Sequence, residues 1–339
     1  MILNAVATLQ ITPSLMGDGP RAWLEILRGQ LNGIQLQMLS WNGKMIAVDV
    51  SVQPASYKGL AIGDFWNKYG FNVLLQAKRE LSNEDLSTSV TTKEKNTGRE
   101  EVLTFTIDEV VEGCRSEFAH DLVRVVSDIS LAAFLAAPDS FDVRDCTVWV
   151  NDEVETTTGP DRLTFHAGLV DHGRQFGGWP QLANIPFVDV LNWLKAIDGF
   201  AIGIPAGPSG RAVSALTHVL MDSGLKLVWA VLGLEAIYCR GGKDLAHQLR
   251  QKSSALLGEP KEYKKRIQEM YEHRSELVHG SLNVPMAYEW LEALEPFEKI
   301  QEREIQSTQF ATTLLVSTIQ QLILRGGHSI ESDFTVRVV

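Results

Sequence analysis

"PKEYKKRIQEMYEHRSELVHG", residues 260–280, has the grammar of a single helix. Pro260 stands near the first turn and Gly280 just beyond the last, the positions that favour each. Tyr263, Ile267, Met270, Tyr271 and Leu277 make an apolar stripe at helical spacing, which leaves His273 on the solvent side. The neighbouring segments read the same way. Residues 243–258 form a second helix, with Leu245, Leu249, Leu256 and Leu257 facing inward and Gly258 at the end. Residues 211–239 form a long apolar helix with a break expected at Gly224, and 295–327 form a fourth, again closed by Gly. Four antiparallel helices with short connections predict a bundle.

The chain before this bundle reads differently. Residues 44–52, 101–111, 145–155 and 161–170 carry the alternation and β-branched content of strands. The last two are separated by "TTTGP", a turn signal that predicts a hairpin there. Residues 116–138 predict a helix with Phe118, Leu122, Val125, Val126 and Ile129 on one face and Pro138 as its stop. Residues 21–39 suggest a helix weakened by Gly29 and Gly33, and the polar run 87–101 an exposed loop. Gly and Pro concentrate at 173–210. The expected organisation is α+β: a mixed α/β domain at 1–180, a Gly/Pro-rich boundary at 181–210 and an all-α bundle at 211–339.

Composition sets limits on function. With 339 residues, 45% hydrophobic and 22% charged, the chain matches an ordinary globular protein. No apolar run is long enough to span a membrane, and "MILNAVATLQITPSL" has no basic leader ahead of an apolar core, so no secretory signal is expected. Cys114, Cys146 and Cys239 are odd in number and widely spaced, which predicts three structural thiols in a reducing, cytoplasmic compartment. The net charge of −11 is unevenly spread. Residues 240–274 hold nine Lys or Arg against five Asp or Glu, so a local basic zone leads into the end of the 260–280 helix.

That end carries Arg274 and His279. An Arg fork holds a phosphate and a His moves protons near neutral pH, so the pair suits chemistry on phosphate. Residues five apart on a helix are rotated by about 140°, so one helix does not present both on one face. Together they would need a frayed end or a second subunit.

The run "YEHRSELVHG" (271–280) resembles the signature of the HEPN superfamily, most closely its Apea-like branch: a Tyr, then Arg-Ser, two apolar residues and His-Gly at a helix end. "LVWAVLGLEAIYC", with its Leu234-Glu235 pair, and "LAHQLRQKSSALLG" are similar to the two preceding helices of that family. The resemblance covers about 205–339. It implies a metal-independent endoribonuclease without cofactor, a bacterial antiviral-defence or toxin effector that pairs as a homodimer through this domain. On that resemblance Arg274 and His279 are catalytic, with RNA cut by 2′-OH attack to leave 2′,3′-cyclic phosphate and 5′-OH ends. Ser275, Glu235 and Tyr271 are supporting residues. Glu235 either pairs with an Arg in the cleft or satisfies a buried helix contact. Lys264, Lys265, Arg266 and Arg250 of the basic zone are candidate RNA contacts. A regulatory protein or phage trigger is an expected partner and a membrane is not. The alternative is a HEPN module that has kept the fold and binds a partner without cutting.

Other candidates are weaker. "GIPAGPSGR" (203–211) lacks the Lys-Ser/Thr of a phosphate loop and reads as a linker. His166, Asp171 and His172 lack metal-ligand spacing, and no metal is expected. An exposed aromatic in "FGGWPQ" (176–181) is the one expected base-stacking candidate.

Overall fold

The computed structural model describes residues 1–13, 19–39, 44–54, 71–82, 85–87, 89–93, 100–104, 106–138, 140–158, 170, 179–221, 225–239, 244–260, 263–282 and 295–330. The protein is α+β, with a six-stranded antiparallel sheet, a separate two-stranded ladder and eight helices among the described residues. Contacts divide the chain into two compact units. The first is Met1–Thr12, Ile26–Ile129 and Val143–Pro160, and the second is Pro13–Glu25, Ser130–Asp142 and Asp161–Val339.

In the first unit the sheet runs in the order β2 (Gln35–Leu39), β3 (Met45–Pro54), β4 (Phe71–Glu80), β1 (Ile2–Pro13), β7 (Phe141–Val150), β8 (Glu153–Thr158). Side chains alternate between faces along a strand. The buried face takes Leu3, Ala5, Ala7, Leu9 and Ile11 from β1, and Phe71, Val73, Leu75 and Ala77 from β4. Register places Ala5 and Val48 on either side of Ala77, so one row of the core crosses three strands. Arg79 continues the buried face of β4 as a charge. It is held by Asp85 at 3.5 Å and Glu117 at 3.9 Å, the latter on α2 (Ile107–Ala136).

Several sequence expectations are corrected here. The strand expected over 101–111 ends early, with β6 at Glu100–Thr104 and α2 beginning at Ile107. A capping box starts the helix: Thr106 accepts the Glu109 N–H on its hydroxyl at 3.2 Å, and the Glu109 carboxylate accepts the Thr106 N–H at 2.7 Å. Bonds from the Thr106 N–H and hydroxyl hold the Glu109 carboxyl below its ordinary pKa. Residues 87–101 are not simply a loop, since β5 (Ser89–Lys93) pairs with β6. The strand expected over 145–155 is itself broken by a hairpin turn at Asn151-Asp152, both with positive φ, which joins β7 to β8. Residues 21–39 split into α1 (Gly19–Leu31) and β2, with Gly33 at φ 82° between them. Residues 161–169 lie outside the described residues, as do His166, Asp171, His172 and Gly224.

The second unit is helical. It contains α3 (Phe187–Lys195), a short 3-10 turn (Phe200–Ile202), α4 (Gly207–Leu220), α5 (Lys226–Tyr238), α6 (Leu245–Leu257), α7 (Lys264–Val278) and α8 (Glu295–Leu324). The Gly-rich run 203–211 is therefore partly helix, with Pro208 in the first turn of α4, where its missing N–H costs nothing. Helix α8 packs on α3, α4, α5, α6 and α7, and its residues 310–320 are all buried. Within this buried stretch most polar groups find a partner. Thr313 and Thr318 donate back to Gln309 O and Leu314 O at 2.7 Å each. Tyr238 of α5 meets the Thr318 hydroxyl at 2.8 Å, and Ser317 donates to Gln181 O at 2.8 Å. The Gln320 amide donates to Leu135 O and Ala183 O at 2.7 Å, and accepts the Ala183 N–H at 2.8 Å.

Close approach and capping fix the remaining helices. A Cβ on Gly233 of α5 would lie 2.9 Å from a terminal methyl of Leu315 of α8, so a side chain there would make Leu315 shift. Buried Lys252 of α6 donates to Tyr238 O at 2.6 Å, placing a cation at the negative end of α5. Among the described residues no helix is long and apolar enough to cross a membrane.

Replacing Gln320 by Leu leaves two carbonyls and one N–H without their partner. We expect a loss of about 3 kcal/mol, read as a lower urea midpoint. A change under about 0.5 kcal/mol would mean that Gln320 is replaceable.

Candidate functional site

Helix α7 buries Ile267, Met270 and His273 at a spacing of three, and this stripe belongs to the α8 side. His273 is therefore fully buried, not solvent-facing as the apolar pattern suggested. Its Nδ1 lies 3.1 Å from the Ser307 hydroxyl of α8, and burial, followed by the nearby Arg303, lowers its pKa. One turn on, Glu276 takes a two-pronged contact from Arg303 of α8 at 2.6 and 3.3 Å.

The adjoining stripe of α7 carries Tyr271 and Arg274 and meets α5. The Arg274 Nη2 stands 3.9 Å from the Glu235 carboxylate, with the two side chains 23% and 15% exposed. Glu235 thus faces an Arg across a part-buried contact between α5 and α7. Arg274 Nε, Glu235 Oε1 and the Tyr271 hydroxyl are buried without a hydrogen-bond partner in the protein. Burial raises the Glu235 pKa, while Arg274 and the nearby Tyr271 hydroxyl pull it down. Burial also pushes the Tyr271 hydroxyl up, and the adjacent Cys239 and Glu235 add to the effect. Cys239, four residues after Glu235 on the same face of α5, joins this cluster. Its thiol is raised first by burial and then by Glu235. Beside Glu235 lies a cavity of about 520 Å³ that Arg211, Ser214, Trp229 and Leu232 help to line.

The end of α7 is a Schellman turn. Gly280 adopts φ 68°, Ser281 N–H donates to Glu276 O at 3.0 Å, and Gly280 N–H to Leu277 O at 3.4 Å. His279 is the capping residue. Its N–H donates to Ser275 O at 2.9 Å, and its side chain is exposed. Five positions of helix separate it from Arg274 by about 7.5 Å along the axis as well as by rotation.

The structure thus brings Glu235, Tyr271 and Arg274 together and sets His279 apart at the helix end. Ser275 is half-buried and contributes its carbonyl to the cap. The four basic candidates have local partners. Lys264 pairs with Glu259 at 3.3 Å and Lys265 with Glu269 at 3.1 Å. Arg266 lies over the Tyr263 ring at 5.7 Å, and Arg250 meets the His247 ring at 3.2 Å. Trp179 of "FGGWPQ" is not a free platform. It is half-buried, packs against Tyr263 and Phe310, and donates to Gly258 O at 3.1 Å. Sequence reasoning missed Cys239, although its four-residue spacing from Glu235 was visible. It also missed the Glu276–Arg303 pair, which joins helices whose register the sequence does not show. No group of three or more metal-ligating side chains occurs among the described residues.

No protein-family model, no curated protein and no solved structure matches this chain.

Two predictions follow from the geometry of this site. The folded chain holds the Glu235 proton more tightly than the unfolded chain. That contribution is full below 4.5, the ordinary value, and is lost as pH rises through the raised folded value. Glu235→Gln does not ionise, so it should gain stability relative to wild type between about pH 4 and about pH 7 in paired urea titrations. An equal difference at both pH values would overturn the assignment. Gly280→Ala forces a Cβ into the left-handed region and should cost about 1 kcal/mol, with amide exchange rising over 276–279. Unchanged protection there would argue against the cap.

Proposed function

We propose that this chain is a HEPN-type, metal-independent endoribonuclease that works in the cytoplasm as a bacterial toxin or antiviral effector. The observation that carries the reading is Arg274, braced by Glu235 of α5 yet partly open to solvent, on the same helix that ends at an exposed, glycine-capped His279. The resemblance of 271–280 to the HEPN signature supplies the reaction class.

The chemistry uses few groups. Arg274 binds the scissile phosphate and stabilises the charge that builds on its oxygens. A His279 imidazole takes the proton of the 2′-OH as that oxygen attacks phosphorus. The bond from phosphorus to the 5′-oxygen breaks, and a protonated His279 gives that oxygen a proton. The products are a 2′,3′-cyclic phosphate and a 5′-OH. Because one helix does not turn Arg274 and His279 to one face, the working cleft is formed by two copies of the chain, each contributing both residues. Ser275 orients the phosphate, and the basic residues of 240–274 draw the RNA in.

The test is incubation of the purified protein with total RNA and tRNA in EDTA, beside Arg274→Ala and His279→Ala, with end-group analysis. Cutting that leaves cyclic phosphate and falls by about 100-fold or more in either variant supports the reading. Alanine variants that cut as well as wild type remove the site. A wild-type dimer that binds RNA and never cuts it favours the non-catalytic module.

A further inference from the structure

Glu235 belongs to two places at once. It stands 3.9 Å from Arg274, and it lines the cavity of about 520 Å³ between α4 and α5. The other described walls of that cavity are mostly apolar. Ile204 and Pro205 come from the loop before α4, and Trp229 and Leu232 from α5. Arg211 of α4 adds a guanidinium. An apolar cavity with a few polar groups is the usual form of a small-ligand site.

The walls are fixed by local bonds. The Ile204 N–H donates to Gly199 O at 3.0 Å and the Ala206 N–H to Asp198 O at 2.7 Å, which ties down the loop 203–205. Gly210 of α4 lies so close behind this loop that a Cβ there would meet the Pro205 backbone at 2.6 Å. Trp229 is held by His218, whose ring stacks on the indole at 4.1 Å with the planes 14° apart. A wall set before the ligand arrives reduces the entropy lost on binding.

Glu235 has hydrogen-bonding capacity left over. Its contact with Arg274 is a charge contact, too long at 3.9 Å for a hydrogen bond. Its Oε1 is sealed from solvent without a partner, so Oε2 is the oxygen a ligand in the cavity can reach. An ionised carboxylate only accepts and a guanidinium only donates. Arg211 is exposed, and its side chain has no hydrogen bond or ion pair among the described residues. The cavity therefore offers an acceptor to a donor edge and a donor fork to an acceptor edge. It asks no net charge of the group that enters.

Guanine has the matching pattern. Its Watson–Crick edge carries neighbouring N1–H and N2–H donors, and its O6 and N7 are the acceptors that an Arg fork takes together. In adenine and cytosine the amino donor sits beside a ring-nitrogen lone pair. In uracil N3–H sits between two carbonyls. Each of these turns an acceptor toward the carboxylate. The indole and the apolar walls suit a flat ring, and the volume admits a purine with its ribose. We propose that this cavity takes a guanine base next to the phosphate held by Arg274, with Glu235 accepting from its N1–H and N2–H edge and Arg211 donating to O6 and N7. The inference rests on the RNA-cleavage reading and names the base which that reading leaves open.

The experiment is calorimetric titration of the full chain, in EDTA, with the 3′-monophosphates of guanosine, adenosine, cytidine and uridine, beside sequencing of the ends of cut RNA. The guanosine form should bind at least about 10-fold tighter than the other three, the size of one charge-assisted hydrogen bond. Arg211→Gln and Glu235→Gln should each cut that ratio by about 10-fold. The ratio is the readout because Glu235 also faces Arg274, and a weakened phosphate contact lowers all four affinities alike. Equal binding of the four by wild type overturns the proposal, as does no binding at millimolar concentration. Variants that keep the wild-type ratio overturn it too. Cut RNA without guanine on either side of the breaks also overturns it and leaves the nuclease reading standing. A chain that never cuts RNA defeats that reading, and the binding ratios then decide on guanine alone.

Discussion

The stretch 310–320 of helix α8 is buried on every side while carrying Thr312, Thr313, Ser317, Thr318 and Gln320. An apolar helix would accept many rotations in such a place. A helix carrying hydroxyls and an amide favours the rotation that pairs most of them, here Thr313, Ser317, Thr318 and Gln320 but not the Thr312 hydroxyl. Thr318 meets Tyr238, Ser317 meets Gln181, and Gln320 ties Ala183 and Leu135 to the same helix. With α8 fixed, α7 is indexed against it by His273 on Ser307 and Glu276 on Arg303. That indexing turns the other stripe of α7, with Arg274, toward α5.

Much of the architecture was legible from residue pattern. The four helices at the end of the chain appear where apolar spacing and terminal glycines put them, with the first divided in two. Phe118, Leu122, Val125, Val126 and Ile129 are all buried, as their spacing in the sequence requires. The misses have specific causes. "TFTIDEVV" alternates like a strand, but Thr106 and Glu109 form a capping box, and that local signal outweighs the alternation. "VNDE" breaks the strand expected over 145–155 because Asn151 and Asp152 accept positive φ and turn the chain from β7 into β8.

The sequence indicated which residues of α5 and α7 lie near one another and not which way each faces. Arg274, Glu235 and Tyr271 lie together across α5 and α7, while His279 stands apart at the end of α7. His273 was misplaced because the apolar stripe was read through Tyr271 and Leu277, which are only half-buried, while the fully buried row is Ile267, Met270 and His273. A rotation of less than one residue decides between those rows. Only packing against α8 sets it. The partnering of the basic residues was equally invisible, since acids such as Glu259 and Glu269 were counted in the charge balance without being assigned to particular lysines.

The missing side chain at Gly233 has a reach beyond its own contact. It lets α5 lie close against Leu315, two residues ahead of Glu235. A methyl group there would first push the Leu315 side chain aside, and any shift of α5 that remained would carry Glu235 with it. Arg274, anchored through α7 to α8, would stay behind. An ion pair already at 3.9 Å has little slack, so the local potential at Arg274 is set partly by an atom that is not there. Selection acting on the charge of this site would therefore be felt at a buried, uncharged position that touches neither residue of the pair.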